Sequence, residues 1–418
     1  MHVRARLTTR FTLLLLTACG GEPPTAPITE LPRALTSTET QLVEADNRFA
    51  FSLFRETLAR ESANRNVFIS PVSVAMALGM AWNGAGGATR DSMTQALQLS
   101  GLAPEDVNAA YRSLITLLRG LDPSVTFTIA NSVWYRQTMT PAPTFLEAVR
   151  TAFDATVQPL DFSSAEAGPT INRWVSDQTR GRIPEIVPNT IPSDVIAYLV
   201  NAIYFKGAWT HRFDASRTAP GPFRLRSGGT VSVPFMTHGT EIPVRIAWRD
   251  PQVQILDLPY SGGAWSMTIV LPASGVDVDS VVASLTQERW NGWMAALDSA
   301  DLTVVLPRFT LRYELDSASA VLKALGMRIA FCDEPPYAFD FNPMFPQANA
   351  CISRVKHKTF VEVNEEGTEA AAATSVEVGV TSAPSAFSVD RPFLLAIRER
   401  LSGTILFLGR IMNPVAVD

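Results

Sequence analysis

With 418 residues, 46% hydrophobic and 18% charged, and with Gly (24) and Pro (29) near ordinary frequency, the chain is neither disordered nor collagen-like. The length fits two or three average domains, or one large mixed domain. Formal net charge is −5 and no basic stripe is visible, which excludes nucleic acid as an expected partner.

Residues 1–18 read as an export signal. Arg4, Arg6 and Arg10 form a positive n-region, followed by an apolar stretch far shorter than the ~20 residues of a membrane helix. Its removal takes three arginines and no acid, so the net charge moves from −5 to −8. Leu16-Thr17-Ala18-Cys19 resembles a bacterial lipobox, in which Cys19 becomes the lipidated first residue. The alternative is an ordinary signal peptide with an incidental Cys. Gly20 after the Cys implies outer-membrane sorting. The expectation is an exported lipoprotein of the outer membrane, facing the periplasm or the cell surface. Residues 19–40, rich in Pro and Gly, read as a tether, and 41–418 as the folded body.

Along the body, residues 41–58 place apolar side chains at helical spacing. Residues 72–82 (VSVAMALGMAW) are apolar nearly all round and read as a buried helix, with Ser70 as cap and Pro71 in its first turn. Residues 106–118, 143–153 and 165–180 read as amphipathic helices. Gly84-Ala85-Gly86-Gly87 follows a helix and reads as a helix-terminating loop rather than a dinucleotide loop. Residues 195–205 (VIAYLVNAIYF) carry the β-branched and aromatic signature of a central strand buried on both faces. Short strands follow at 231–233, 244–248, 253–258 and 265–271, and 301–311 alternates. Residues 314–325 read as a helix ending at Gly326. A strand at 359–363 precedes the most unusual segment, and two last strands, 393–397 and 404–408, flank a Ser402-Gly403 turn. Helices lead and strands follow, which argues an α+β domain.

No nucleophile–base set, metal motif or phosphate loop is present, so no enzyme activity, metal or cofactor is expected. Cys332 and Cys351 lie in a chain bound for a compartment where disulfides persist; a bridge between them is expected, with two free buried thiols as the alternative. The unusual segment is 365–380 (EEGTEAAAATSVEVGV). Propensity alone reads it as helix. Period 2 puts Thr368, Ala370, Ala372, Thr374, Val376 and Val378 on one face, all small or β-branched, and both Glu369 and Glu377 on the other. The small-residue flank after it is prone to cleavage. On these residues alone, a strand that can also be an exposed loop and an Ala-rich helix or linker stay equally open.

The chain resembles the serpins from about Gln41 to Pro414. Glu365, Glu366, Gly367, Thr368, Glu369, Ala370, Ala371, Ala372, Ala373 and Thr374 resemble that family's inhibitory hinge. Residues 66–73 (NVFISPVS), 199–209 (LVNAIYFKGAW), 390–393 (DRPF) and 407–414 (FLGRIMNP) match further family motifs in the same order. The resemblance implies the serpin fold, three β-sheets with about nine helices and an exposed reactive-centre loop at about 366–388. It carries the shutter residues over to Ser70, Ser73, Asn201 and His357. It places Trp209 at the top of the main sheet, where insertion begins.

The resemblance also implies a suicide inhibitor: a serine protease attacks the loop, and the acylated segment from Thr368 enters the main sheet as a strand. Fourteen positions after the hinge Gly367, the scissile bond falls between Thr381 and Ser382, with Val380 as the rival cleaved residue. The loop there is small and uncharged, which favours an elastase-like or subtilisin-like target. The protease would be a covalent partner of a monomer, with a lipid membrane the second partner through Cys19. A non-inhibitory serpin acting as a binding or chaperone module is the alternative, and would be expected to carry bulky or charged hinge residues.

Overall fold

The computed structural model describes residues 27–335, 337–368 and 386–416. The first half runs α1 (Ser37–Leu58), β1 (Val67–Ile69), α2 (Pro71–Asn83), α3 (Gly87–Ala96), α4 (Pro104–Gly120), β2 (Thr126–Arg136), α5 (Pro143–Phe153), β3 (Thr156–Leu160), α6 (Ala167–Gln178) and β4 (Ala197–Ala208). Then come β5 (Ala219–Arg224), β6 (Thr230–Thr237), β7 (Ile242–Ala247), β8 (Val253–Tyr260), β9 (Trp265–Pro272), α7 (Val278–Ala283), α8 (Gln287–Ala295), β10 (Asp298–Pro307) and β11 (Phe309–Glu314). The last elements are α9 (Ala318–Leu322), β12 (Lys358–Val363), β13 (Gly367–Thr368), β14 (Ala386–Ser388), β15 (Phe393–Glu399) and β16 (Ile405–Ile411).

One sheet has the order β11-β12-β13-β4-β2-β3. The other path runs β1-β16-β15-β9-β8-β7-β10-β6-β5, with β14 attached to β10. That path changes sheet inside β10, whose residues Asp298–Leu302 pair with β7 and whose residues Val305–Pro307 pair with β6. Three sheets therefore share the described residues, and nine α-helices pack on them.

Helix α2 is buried nearly all round because its apolar residues leave no polar stripe. It runs beneath β4 and β16 and forms the centre of the core. Ser70 does stand at its N-cap, but the hydroxyl does not cap: it donates to the Leu406 carbonyl at 2.8 Å. The tertiary contact outcompetes the local one.

Three sequence boundaries move. The tether does not extend to residue 40. The Ile28 amide donates to the Gly262 carbonyl at 2.7 Å, and Arg33 forks onto Glu39 at 2.8 and 2.6 Å. Thr36 and Glu39 close a capping box that starts α1 at Ser37. The Arg33 guanidinium holds the Glu39 carboxyl down at about 2. The alternation read at 301–311 is two strands separated at Arg308. The helix read from Glu314 begins only at Ala318, because Phe309, Leu311 and Tyr313 continue a period-2 buried face to the end of β11. Strand β2 carries no apolar run and escapes sequence reading, yet it pairs with β4 along ten residues, from Thr126↔Lys206 to Tyr135↔Ala197. Burial of β4 on both faces holds only for its second half. Leu199 and Asn201 are half-buried, since no strand covers their other edge.

Candidate functional site

Strands β4 and β12 face each other across a space one strand wide. Among the described residues, only the two of β13 fill it, at one end. Gly367 pairs with Ala208, and Thr368 pairs with Gly207 on one side and Val363 on the other. The rest of the slot is a cavity of about 480 Å3. Asn364 sets the turn between β12 and β13: its amide donates to the Gly367 carbonyl at 3.0 Å, and its side-chain oxygen accepts from the Glu366 and Gly367 amides at 3.1 and 3.3 Å.

The hinge glycine is required by space. A Cβ on Gly367 would lie 2.0 Å from the Gly207 carbonyl oxygen. Thr368 is 3% exposed, and its hydroxyl meets the Tyr260 hydroxyl at 2.5 Å. Trp209 stacks on Tyr260 at 4.6 Å and donates from its indole to the Asn364 carbonyl at 2.8 Å. Its amide donates to the Glu366 carbonyl at 2.8 Å. Buried Glu365 accepts from the Thr218 hydroxyl at 2.7 Å and pairs with Arg308 at 3.3 Å. The start of the loop at 367–368 is therefore already inside the sheet, where the sequence reading left it outside. At the other end, Ala386–Ser388 pair with β10. Glu369, Ala370, Ala371, Ala372, Ala373 and Thr374, as well as Val380, Thr381, Ser382 and Cys19, lie outside the described residues.

Ser70, Ser73, Asn201 and His357 all line the cavity. They do not form one cluster. On the β12 side, the Ser70 amide donates to His357 Nε2 at 3.0 Å, which makes Nδ1 the protonated nitrogen. On the β4 side, Asn201 donates to Asn131 Oδ1 at 2.7 Å, and Asn131 donates to the Phe153 carbonyl at 2.7 Å. Asn201 Oδ1 is buried and has no hydrogen-bond partner. Ser73 is buried. Cys332 and Cys351 are bonded, with Cα atoms 5.1 Å apart, and both border the far end of the cavity. Sequence reading missed Tyr260, Asn364, Thr218, Arg308 and Asn131. All but Asn364, whose side chain bonds to Glu366 and Gly367, act through a contact distant in sequence, and none sits in a motif.

Burial pushes the His357 imidazole down to about 4, so it is neutral at pH 7. The unfolded chain takes up the proton near pH 6.5 and the folded one near 4, so stability falls as pH drops through that window. The loss should be on the order of 3 kcal/mol between neutral pH and pH 4. Asp46, buried beside Tyr111 and pushed up to about 7 by burial, slopes the other way over an overlapping range. Urea unfolding of wild type and His357→Gln at several pH values separates the two. The difference between the proteins should shrink as pH falls, and a constant difference would exclude the histidine as its source.

Among the described residues no group of His, Cys, Asp or Glu is arranged to hold a metal ion, and no helix is long and apolar enough to cross a membrane. The profile of the family described as serpin (serine protease inhibitor) matches residues 44–414. Human serpin B9 is 36% identical over 383 residues, covering 89% of this chain and 99% of that protein. A bovine leukocyte elastase inhibitor is 35% identical over 385 residues, covering 90% and 100%. Two solved structures superpose closely. A thyroxine-binding globulin complex with thyroxine has a TM-score of 0.80 and 27% identity, covering 90% of this chain and 100% of that one. The mouse protein-Z dependent protease inhibitor has a TM-score of 0.78 and 26% identity, covering 90% and 98%. The chain belongs to the serpin family.

Proposed function

We propose that this serpin is a suicide-substrate inhibitor of serine proteases with a small apolar specificity pocket, of elastase-like or subtilisin-like type. The observation that carries the reading is the slot begun at one end: a two-residue strand seated at the top of a space of strand width. Extending its register, Thr374 would lie level with Asn201 on β4 and with His357, the residue just before β12. The orphaned Asn201 oxygen would there gain a hydroxyl donor at the same height. Side chains directly opposite in a sheet share a face. The even-numbered, small or β-branched residues of the loop would follow Thr368 to the buried side. A leukocyte elastase inhibitor among the relatives supports the choice of target. Likeness to a thyroxine-binding globulin supports a second reading, a ligand-carrying serpin without inhibition. The small hinge residues favour the first.

The test is incubation of the mature protein with a panel of serine proteases, followed by denaturing electrophoresis and intact mass. A stable adduct with an elastase- or subtilisin-type enzyme is expected, with the chain cut after Thr381. Simple cleavage without adduct across the panel would end the inhibitor reading, and a cut after Val380 would move the register by one.

We also propose that Cys19 is lipidated and anchors the protein to the outer membrane. The motivation is the Leu-Thr-Ala-Cys run after a short apolar stretch. Cys19→Ala should leave the membrane fraction. Its retention there would exclude the anchor.

A further inference from the structure

The far end of the slot is walled differently from the near end. Along Lys358–Val363 the wall is a strand, held by β11 through six registered pairs. Below His357, residues 353–356 have no strand neighbour. Side chains hold this stretch at two points, Val355, whose amide donates to the Ser319 hydroxyl at 3.3 Å, and Lys356, which pairs with Glu314 at 3.2 Å. Backbone pairing resumes only at Ile352, whose amide donates to the Ala330 carbonyl at 2.9 Å and whose carbonyl accepts from the Cys332 amide at 3.1 Å. The Cys332–Cys351 disulfide lies beside that small bridge and ties it to the turn that follows α9. Both cysteines are partly accessible and both border the cavity.

The register says what this wall is for. Counting on from Thr368, past the ends of β4 and β12, the inserted residue 380 would lie between Val195, two residues before β4, and Cys351. The last residues to insert therefore depend on a wall without sheet support of its own. The cavity is already open at this level, so insertion there needs no parting of walls. It needs an edge held still, with its backbone groups in line.

We propose that Cys332 and Cys351 are positioning residues for the final third of loop insertion, and that their bridge makes inhibition sensitive to thiol reductants. This rests on the inhibitor reading above. A dithiol gives two electrons and two protons to the bridge and leaves as its own disulfide, and two thiols remain in the protein. The wall at 351–356 then loses its covalent tie, late insertion slows, and deacylation of the trapped protease competes better.

The mature protein, oxidised or treated with dithiothreitol, is compared with the Cys332→Ser/Cys351→Ser variant. Two synthetic peptides are offered to each in turn: residues 369–375, which follow on from the seated Thr368 and end level with the shutter, and residues 369–381, which reach the bridge. Uptake is followed by native gel shift. The short peptide should enter all three proteins alike. The long peptide should enter the reduced protein and the variant about threefold more slowly or worse, well within what one cross-link is worth. Stoichiometry of inhibition should rise in parallel. Equal slowing of both peptides would show general loosening of the fold and overturn the proposal, as would unchanged uptake of the long one. If no protease is trapped by any form, the inhibitor reading fails, and the two peptides still decide the role of the bridge.

Discussion

Thr368→Arg is expected to turn the protein from an inhibitor into a substrate, with stoichiometry of inhibition rising roughly tenfold or more. Thr368 is closed in by Tyr260, Gly207 and Val363. A guanidinium there would be buried without a counter-ion, at a cost of several kcal/mol. The side chain can avoid that cost by pulling β13 out of the slot, so the variant should differ from wild type before any protease arrives. Tyr260 and Trp209 would lose their cover, and tryptophan fluorescence should report it. Attack on the loop should proceed, but the freed segment could not lead into the sheet. Glu369→Arg is the control. One residue on, it would take the opposite face, level with Lys206 and Glu362. It should inhibit nearly as well as wild type. Tight 1:1 inhibition by Thr368→Arg, or equal failure of both variants, would overturn the face assignment.

Cleavage between Thr381 and Ser382 by a protease that escapes trapping should raise the thermal midpoint by ~20 °C. The slot offers unpaired edges of β4 and β12 to the residues after Thr368. About a dozen new backbone hydrogen bonds, at ~1 kcal/mol net each, come to on the order of ten kcal/mol. For a domain of this size one kcal/mol corresponds to ~2 °C. The same energy would be available to deform a trapped protease, whose stability is ~5–15 kcal/mol. Differential scanning calorimetry of intact and cut protein measures the shift. Cut Thr368→Arg should show little of it, and coincident melting of cut and intact wild type would remove the energy source on which the mechanism depends.

How far residues could be read depended on whether their partners were near in sequence. Helix α2 was legible because nine of the eleven residues from Val72 to Trp82 are apolar, with Ser73 and Gly79 the exceptions, which excludes an exposed helix. Strands β8, β9, β15 and β16 were legible because short apolar runs end at Gly, Pro or Ser turns. Strand β2 was not, since its stability comes from ten pairs with β4, some seventy residues away. Glu314 was misread as helix because helix propensity is local, whereas the buried alternation of β11 is imposed by β12. Ser70 was read as a cap for the same reason.

By itself the sequence determined the family, the α+β class, the alternating small residues of the hinge and the residues that border the slot. Only the tertiary structure decided that Gly367 and Thr368 already sit in the sheet. It also decided that Asn201 and His357 stand on opposite walls, and that the disulfide borders the slot's far end. These are matters of register between strands more than a hundred and fifty residues apart. A hydrophobic pattern records which face a side chain prefers, but not which backbone edge is left without a neighbour.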